Sequence, residues 1–261
     1  MRVSLTRQEL DMTSALMLAI INPPQLASCK IINYSHSSEE LSPIQQFLLK
    51  KENLEILHLT CTGPGVTESD DAIHPNERMP AIKELLLDGY EWNHSPATAV
   101  HFWNWSRITH LELRRVPIIP FLATVTPEHL THLRTFKTDG FCPEIFFKFE
   151  GCEFLIRLLR GIKALENLSI SLHIDRIDED LKENLIRAIC RHGRSLKSLE
   201  FGEQKEDTSR FIMHVPTHPM QMQYVAELKS WLTNVVELSL DTTTIEVEKQ
   251  VKSDPEVPWK I

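Results

Sequence analysis

The sequence predicts an α/β fold in which about eight irregular strand–helix repeats stack side by side. Three observations carry this. Apolar residues recur at positions 1, 4 and 6 of a short frame, clearest in Ile82-Lys83-Glu84-Leu85-Leu86-Leu87-Asp88-Gly89-Tyr90. The frame returns at residues 26, 54, 108, 133, 165, 196 and 235, with starts separated by 25 to 39 residues. After most frames the apolar period lengthens from two toward 3.6, the change expected where a strand gives way to a helix.

Taken in order, residues 1–25 read as a capping helix. Leu10, Met17, Leu18 and Ile21 share one helical face, and Asn22-Pro23-Pro24 ends it. After the frame Leu26-x-x-Cys29-x-Ile31, Ser42-Pro43 starts a helix with Ile44, Phe47 and Leu48 inward. Gly63 to Met79 is polar and aperiodic, a loop between strands. Ser95-Pro96 opens the next helix, predicted over Ala97 to Trp105. Two of Phe102, Trp103 and Trp105 should pack under the strands. Trp103 and Trp105 stand two apart, so a continuing helix would leave one exposed.

Beyond Leu133-x-x-Phe136-x-Thr138, the segment Phe141 to Phe149 is an insertion rich in phenylalanine, expected to be packed. A helix over 153–162 follows, with Phe154, Leu155, Leu158, Leu159 and Ile162 inward. The clearest helix is 179–192. Asp178 caps it, Glu179 and Asp180 fill its first turn, and Arg187, Arg191 and His192 lie toward its end before Gly193. Glu203 to Pro219 is a polar insertion. A last helix should turn Tyr224, Val225, Leu228, Trp231 and Leu232 inward, and residues 243–261 read as a polar tail.

Repeats of this length and pattern fit a leucine-rich-repeat horseshoe, a solenoid with a parallel sheet inside and helices outside, over residues 26–242. The formal charge of −8 argues against a nonspecific nucleic-acid binder. Five scattered cysteines give neither a disulfide framework nor a zinc motif, and reduced thiols fit a cytoplasmic or nuclear protein. No apolar run approaches a membrane span. Leu26-Ala27-Ser28-Cys29 has the form of a lipoprotein cleavage box. Its short apolar stretch and the acidic Glu9 and Asp11 ahead of it favour a repeat strand instead.

No catalytic constellation stands out, and no cofactor is expected. His129-x-x-His132 and His214-x-x-x-His218 lack the helical context of a metal site, so none is assigned. What remains is a surface at positions 3, 5 and 7 of the frame. Its mixed-sign centre is Glu84, Leu86, Asp88, His110, Glu112, Arg114, Lys137 and Asp139. These residues suit charge-assisted contacts with a protein partner. Equally, they could form a ladder of ion pairs between adjacent strands.

The segment from Ser95 to Leu113, Ser-Pro-Ala-Thr-Ala-Val-His-Phe-Trp-Asn-Trp-Ser-Arg-Ile-Thr-His-Leu-Glu-Leu, resembles the irregular leucine-rich repeats of fungal F-box proteins. The resemblance is spread over residues 26–242. It implies a non-enzymatic protein–protein interaction module, the substrate-recognition part of a ubiquitin-ligase receptor. No Leu-Pro-rich opening precedes residue 26, so adaptor binding is not expected of these residues, and position 9 of the frame carries no asparagine, so the turn after each strand is not held by an asparagine ladder. The alternative is a ligand-binding or enzymatic protein with an insertion-built pocket near 141–152.

Overall fold

The computed structural model describes residues 2–5, 26–34, 48–61, 78–139, 148–172, 179–203, 228 and 230–240. These residues form one open parallel sheet with helices along its connections. The strands are β1 (Arg2–Leu5), β2 (Ser28–Tyr34), β3 (Ile56–Cys61), β4 (Glu84–Asp88), β5 (His110–Arg114), β6 (Thr135–Thr138), β7 (Asn167–Leu172), β8 (Ser198–Glu203) and β9 (Glu237–Leu240). Their order in the sheet is their order in the chain. Every strand from β2 onward begins at position 3 of its frame, and neighbours from β3 onward pair position for position, as in Leu85↔Leu111 and Leu111↔Phe136; β2 and β3 do so as far as Ile31↔Leu59, after which their register shifts.

That register stacks like positions on like. Leu57, Leu85, Leu111, Phe136, Leu168 and Leu199, all at position 4, are at most 2% exposed. Burying each such side chain contributes about 1.5–3 kcal/mol. Position 5 points to the opposite face, as strand alternation requires. Within the described part of residues 1–25, Arg2–Leu5 is a strand paired with β2 rather than helix. The helix expected over 6–21 lies outside the described residues, as do residues 140–147 of the phenylalanine-rich insertion.

Four helices are described: α1 (Pro96–Phe102), α2 (Ile118–Thr124), α3 (Lys148–Gly161) and α4 (Glu179–Cys190). Among the described residues, none is long and apolar enough to cross a membrane. At the start of α1, the Ser95 hydroxyl accepts from Thr98 N at 3.2 Å, with proline next in line. The helix stops at Phe102, because Trp103 takes an extended conformation (φ −83°, ψ 123°) and a 3₁₀ turn follows over Trp105–Arg107. The break overturns the expectation that one tryptophan is exposed: Trp103 and Trp105 are both buried, since the helical period ends before them.

Around them Tyr90, Trp92, His94, Phe102 and Phe121 complete an aromatic core. Trp92 meets Phe121 edge-on at 4.6 Å and donates from Nε1 to the Thr124 hydroxyl at 2.7 Å. Thr124 closes α2, a helix the period did not reveal because Pro117 and Pro120 flank and enter its first turn. In α3, Leu155, Ile156, Leu158 and Leu159 are buried. The helix begins at Lys148, ahead of the expected start at 153. Near the last strand Leu228 and Leu232 are buried, but Trp231, expected inward, is 59% exposed.

The expected last-turn cation His192 is instead a core residue, 2% exposed. Its Nδ1 accepts from Leu165 N at 3.3 Å, and its Nε2 donates to the Leu159 carbonyl at 2.8 Å, tying α3 to the start of β7. Burial holds its pKa below the ordinary 6.5. The unfolded chain therefore takes up the extra proton more readily, and stability present above about pH 6.5 falls as the solution is acidified below it. We expect the thermal midpoint to drop between pH 7 and pH 5 and the drop to shrink in His192→Gln. A pH dependence unchanged by that substitution would assign it to other groups.

Between β4 and β5, Gly89 adopts φ +66°, and a Cβ there would lie 2.5 Å from the Cys61 carbonyl oxygen. Gly89→Ala should therefore destabilise the fold by about 1–3 kcal/mol, measured by urea unfolding.

Candidate functional site

The polar face of the sheet brings the eight expected residues together. Register sets Glu84 beside His110, Leu86 beside Glu112 and Asp88 beside Arg114. One strand further, Glu112 stands beside Lys137, and Asp139 follows the last residue of β6. Most of these side chains are half-buried; Arg114 is exposed and Glu112 is 8% exposed.

Within this patch the charges are largely paired, though not in the pattern that cross-strand facing suggests. Arg114 turns along its own strand to Glu112, donating from Nε at 2.5 Å. His110 approaches the same carboxylate at 3.7 Å from the other side. Positions i, i+2 and i+4 of a strand share a face, which places Glu112 between its two partners. Glu84 is met by His58 at 2.8 Å, a residue one strand back that the expected patch omitted. Among the described residues Lys137 has no ion-pair partner, and Leu86 is a half-exposed apolar side chain.

The central pairing residue is one the sequence reading passed over. Arg115 donates from Nε to Asp88 at 2.8 Å, and its backbone N–H donates to the Asp139 carboxylate at 2.6 Å. It thereby joins the ends of β4, β5 and β6. To do so it adopts φ +50°, a conformation costly for a residue with a Cβ. Its frame position is that of Gly89, which also has positive φ, so the recurrence of glycine there was the available signal.

At the opposite ends of the strands, position 2 forms a second row. Lys83 meets Glu55 at 2.6 Å and Lys197 meets Glu166 at 2.5 Å. The hydrogen bond from each lysine holds its carboxyl below the ordinary range, against a smaller opposing effect of desolvation.

Rigidly held donors and acceptors can contact a partner, provided the new contacts replace those the face makes with itself. Burial raises the pKa of the Cys29 thiol to about 11 and of the Cys152 thiol to about 12, which disfavours the thiolate at both. His129 Nδ1 accepts from Thr126 N at 3.1 Å, and no group of three or more potential metal ligands occurs among the described residues. Most of the expected pocket near 141–152 lies outside them. Compared with protein-family models and with curated proteins, the sequence gives no match.

Removing the Arg115 side chain tests how strain and pairing balance. Arg115→Gly loses the exposed ion pair but relieves the positive φ. Arg115→Ala loses the pair and keeps the strain, so it should be about 1 kcal/mol less stable than the glycine variant. Equal urea midpoints for the two would show that φ at this position is unstrained.

Proposed function

We propose that this chain is a non-enzymatic protein–protein interaction module of the leucine-rich-repeat type. In this reading the parallel sheet lines the inner face of a horseshoe, and positions 3, 5 and 7 of adjacent strands hold another protein. The observation that carries it is the division of each strand: position 4 is sealed in the core while position 5 stays at least partly accessible along most of the sheet. A narrower version follows from the likeness of Ser95 to Leu113 to fungal F-box repeats. There the bound protein is a ubiquitin-ligase substrate.

The cleanest probe truncates side chains whose removal leaves no charge unpaired. Leu86→Ala combined with Lys137→Ala should weaken partner capture by about tenfold. Its unfolding free energy should stay within about 1 kcal/mol of the parent. Affinity capture with mass spectrometry reads the outcome. Recovery of ligase subunits or their substrates, lost in the double variant, supports the narrower version. Absence of any specific partner would sink the module reading, and normal capture with a large loss of stability would make the face structural.

A further inference from the structure

A second surface lies on the rim where β6 to β9 begin, apart from the polar face and independent of the reading above. Arg134 and Lys197 stand at position 2 of their frames, and Lys163 and Arg194 each stand two residues before the first frame residue. All four are exposed. Contacts fix their adjacency. The Arg134 guanidinium donates to the Ala164 carbonyl at 3.2 Å, the Arg134 carbonyl accepts from Glu166 N, and the Glu166 carbonyl accepts from Lys197 N. The carboxylate at the centre of this row is Glu166, held by Lys197. Lys163 and Arg194 have no ion-pair partner among the described residues; counting Glu237, whose N–H also donates to the Lys197 carbonyl, the described row holds four cations against two anions.

The rim ends on exposed apolar side chains. Trp231 is 59% and Val236 77% exposed, both unusual for residues of their size. Asn234 donates to the Arg194 carbonyl at 2.7 Å and Val236 N to the Lys197 carbonyl at 2.8 Å, so this segment lies directly against the basic one. A Cβ on Gly193 would sit 2.2 Å from the Trp231 carbonyl oxygen, a closeness that only glycine permits and that fixes the tryptophan beside Arg194.

We propose that this rim binds a short acidic peptide segment of a partner protein, with a large apolar residue at one end seated on Trp231 and Val236. Tryptophan and arginine are both among the residue types enriched where binding energy concentrates. Three strand spacings separate β6 from β9, about 14 Å, and four extended residues cover about 13 Å. The full sequence carries a formal charge of −8, so these cations are a local concentration on an acidic chain.

The test is fluorescence anisotropy on the full chain with a fluorescein-labelled tetraglutamyl-leucine peptide, beside tetraglutamate alone and a single-stranded oligonucleotide of matching charge. The leucine-bearing peptide should bind saturably, and more weakly as salt rises to about 0.3 M. Lys163→Glu with Arg194→Glu should weaken it by about tenfold or more. Trp231→Ala should bring it down to the level of tetraglutamate. Leu86→Ala with Lys137→Ala should leave it unchanged, which separates this surface from the polar face. Circular dichroism confirms that each variant is folded, and Val236→Ser repeats the apolar test should Trp231→Ala fail to fold. No saturable binding, binding indifferent to charge reversal, or an oligonucleotide bound as tightly would each overturn the proposal.

Discussion

The rest of the structure depends on a backbone ladder at position 2 of the frame. There a single carbonyl accepts both of the N–H groups that open the next strand. Ala27 O takes Glu55 N and Ile56 N, Glu55 O takes Lys83 N and Glu84 N, and the pattern continues through Lys83, Thr109, Arg134, Glu166 and Lys197 to Val236 and Glu237. Because the bond is made by backbone, it does not depend on what the side chain is, and Ala27, Glu55 and Thr109 serve equally. It sets the register at the first residue of each strand. A one-residue slip would turn position 5 inward and expose the leucines at positions 4 and 6. The ladder also separates the regular part of each repeat from the irregular part. Length varies only after the strand has been laid down, so spacings from 25 to 39 residues coexist with unshifted pairing from β3 through β9.

Side chains inherit neighbours from this register, and their energetics follow from where the frame places them. At position 2 the inherited neighbours are opposite charges on the surface, Lys83 with Glu55 and Lys197 with Glu166. Exposed pairs of this kind are screened by solvent and contribute little to stability. The heavier terms lie between frames, where the connections bury polar groups; the Trp103 indole N–H is left without a hydrogen-bond partner among the described residues, whereas others are satisfied. Trp92 finds Thr124, Trp105 donates to the Ala99 carbonyl, and His192 uses both ring nitrogens on backbone. Breaking one such partnership strands a buried donor or acceptor, at a cost of about 1–3 kcal/mol. The irregular connections are thus where single substitutions should hurt most.

This division also explains what could be read from the sequence. The strands were legible because an apolar 1-4-6 frame has a fixed period and because each copy predicts the register of the next. Ser95-Pro96 and the 179–190 helix were legible because caps and end charges are local signals. Features set by the irregular connections were not. The exposure expected of one of Trp103 and Trp105 assumed a helix that in fact ends at Phe102, and the tilt of the chain that follows buries both. The helix Ile118–Thr124 hides behind two prolines. His192 resembles a helix-end cation until the Leu159 carbonyl and Leu165 amide close around it. On the polar face the register puts the expected residues side by side, but which partner each charge takes was not legible, since Arg115 reaches two strand ends only through a positive φ that arginine seldom adopts.

The two surfaces differ in what a partner must displace. On the polar face most charges are already satisfied by neighbours in the same sheet, so an incoming group must compete with Arg115 for Asp88 or with Arg114 for Glu112. Such a face discriminates well, because a partner with the wrong charge breaks existing pairs and supplies nothing in return. Affinity there must come chiefly from shape and from unpaired groups such as Lys137 and Leu86. At the rim of β6 to β9, Lys163 and Arg194 have no such internal competitor among the described residues, and Trp231 offers apolar area already exposed to water. A ligand at that rim pays little to enter and gains mainly from charge and area. If both proposals hold, fast, salt-sensitive association suits the rim and selection suits the face.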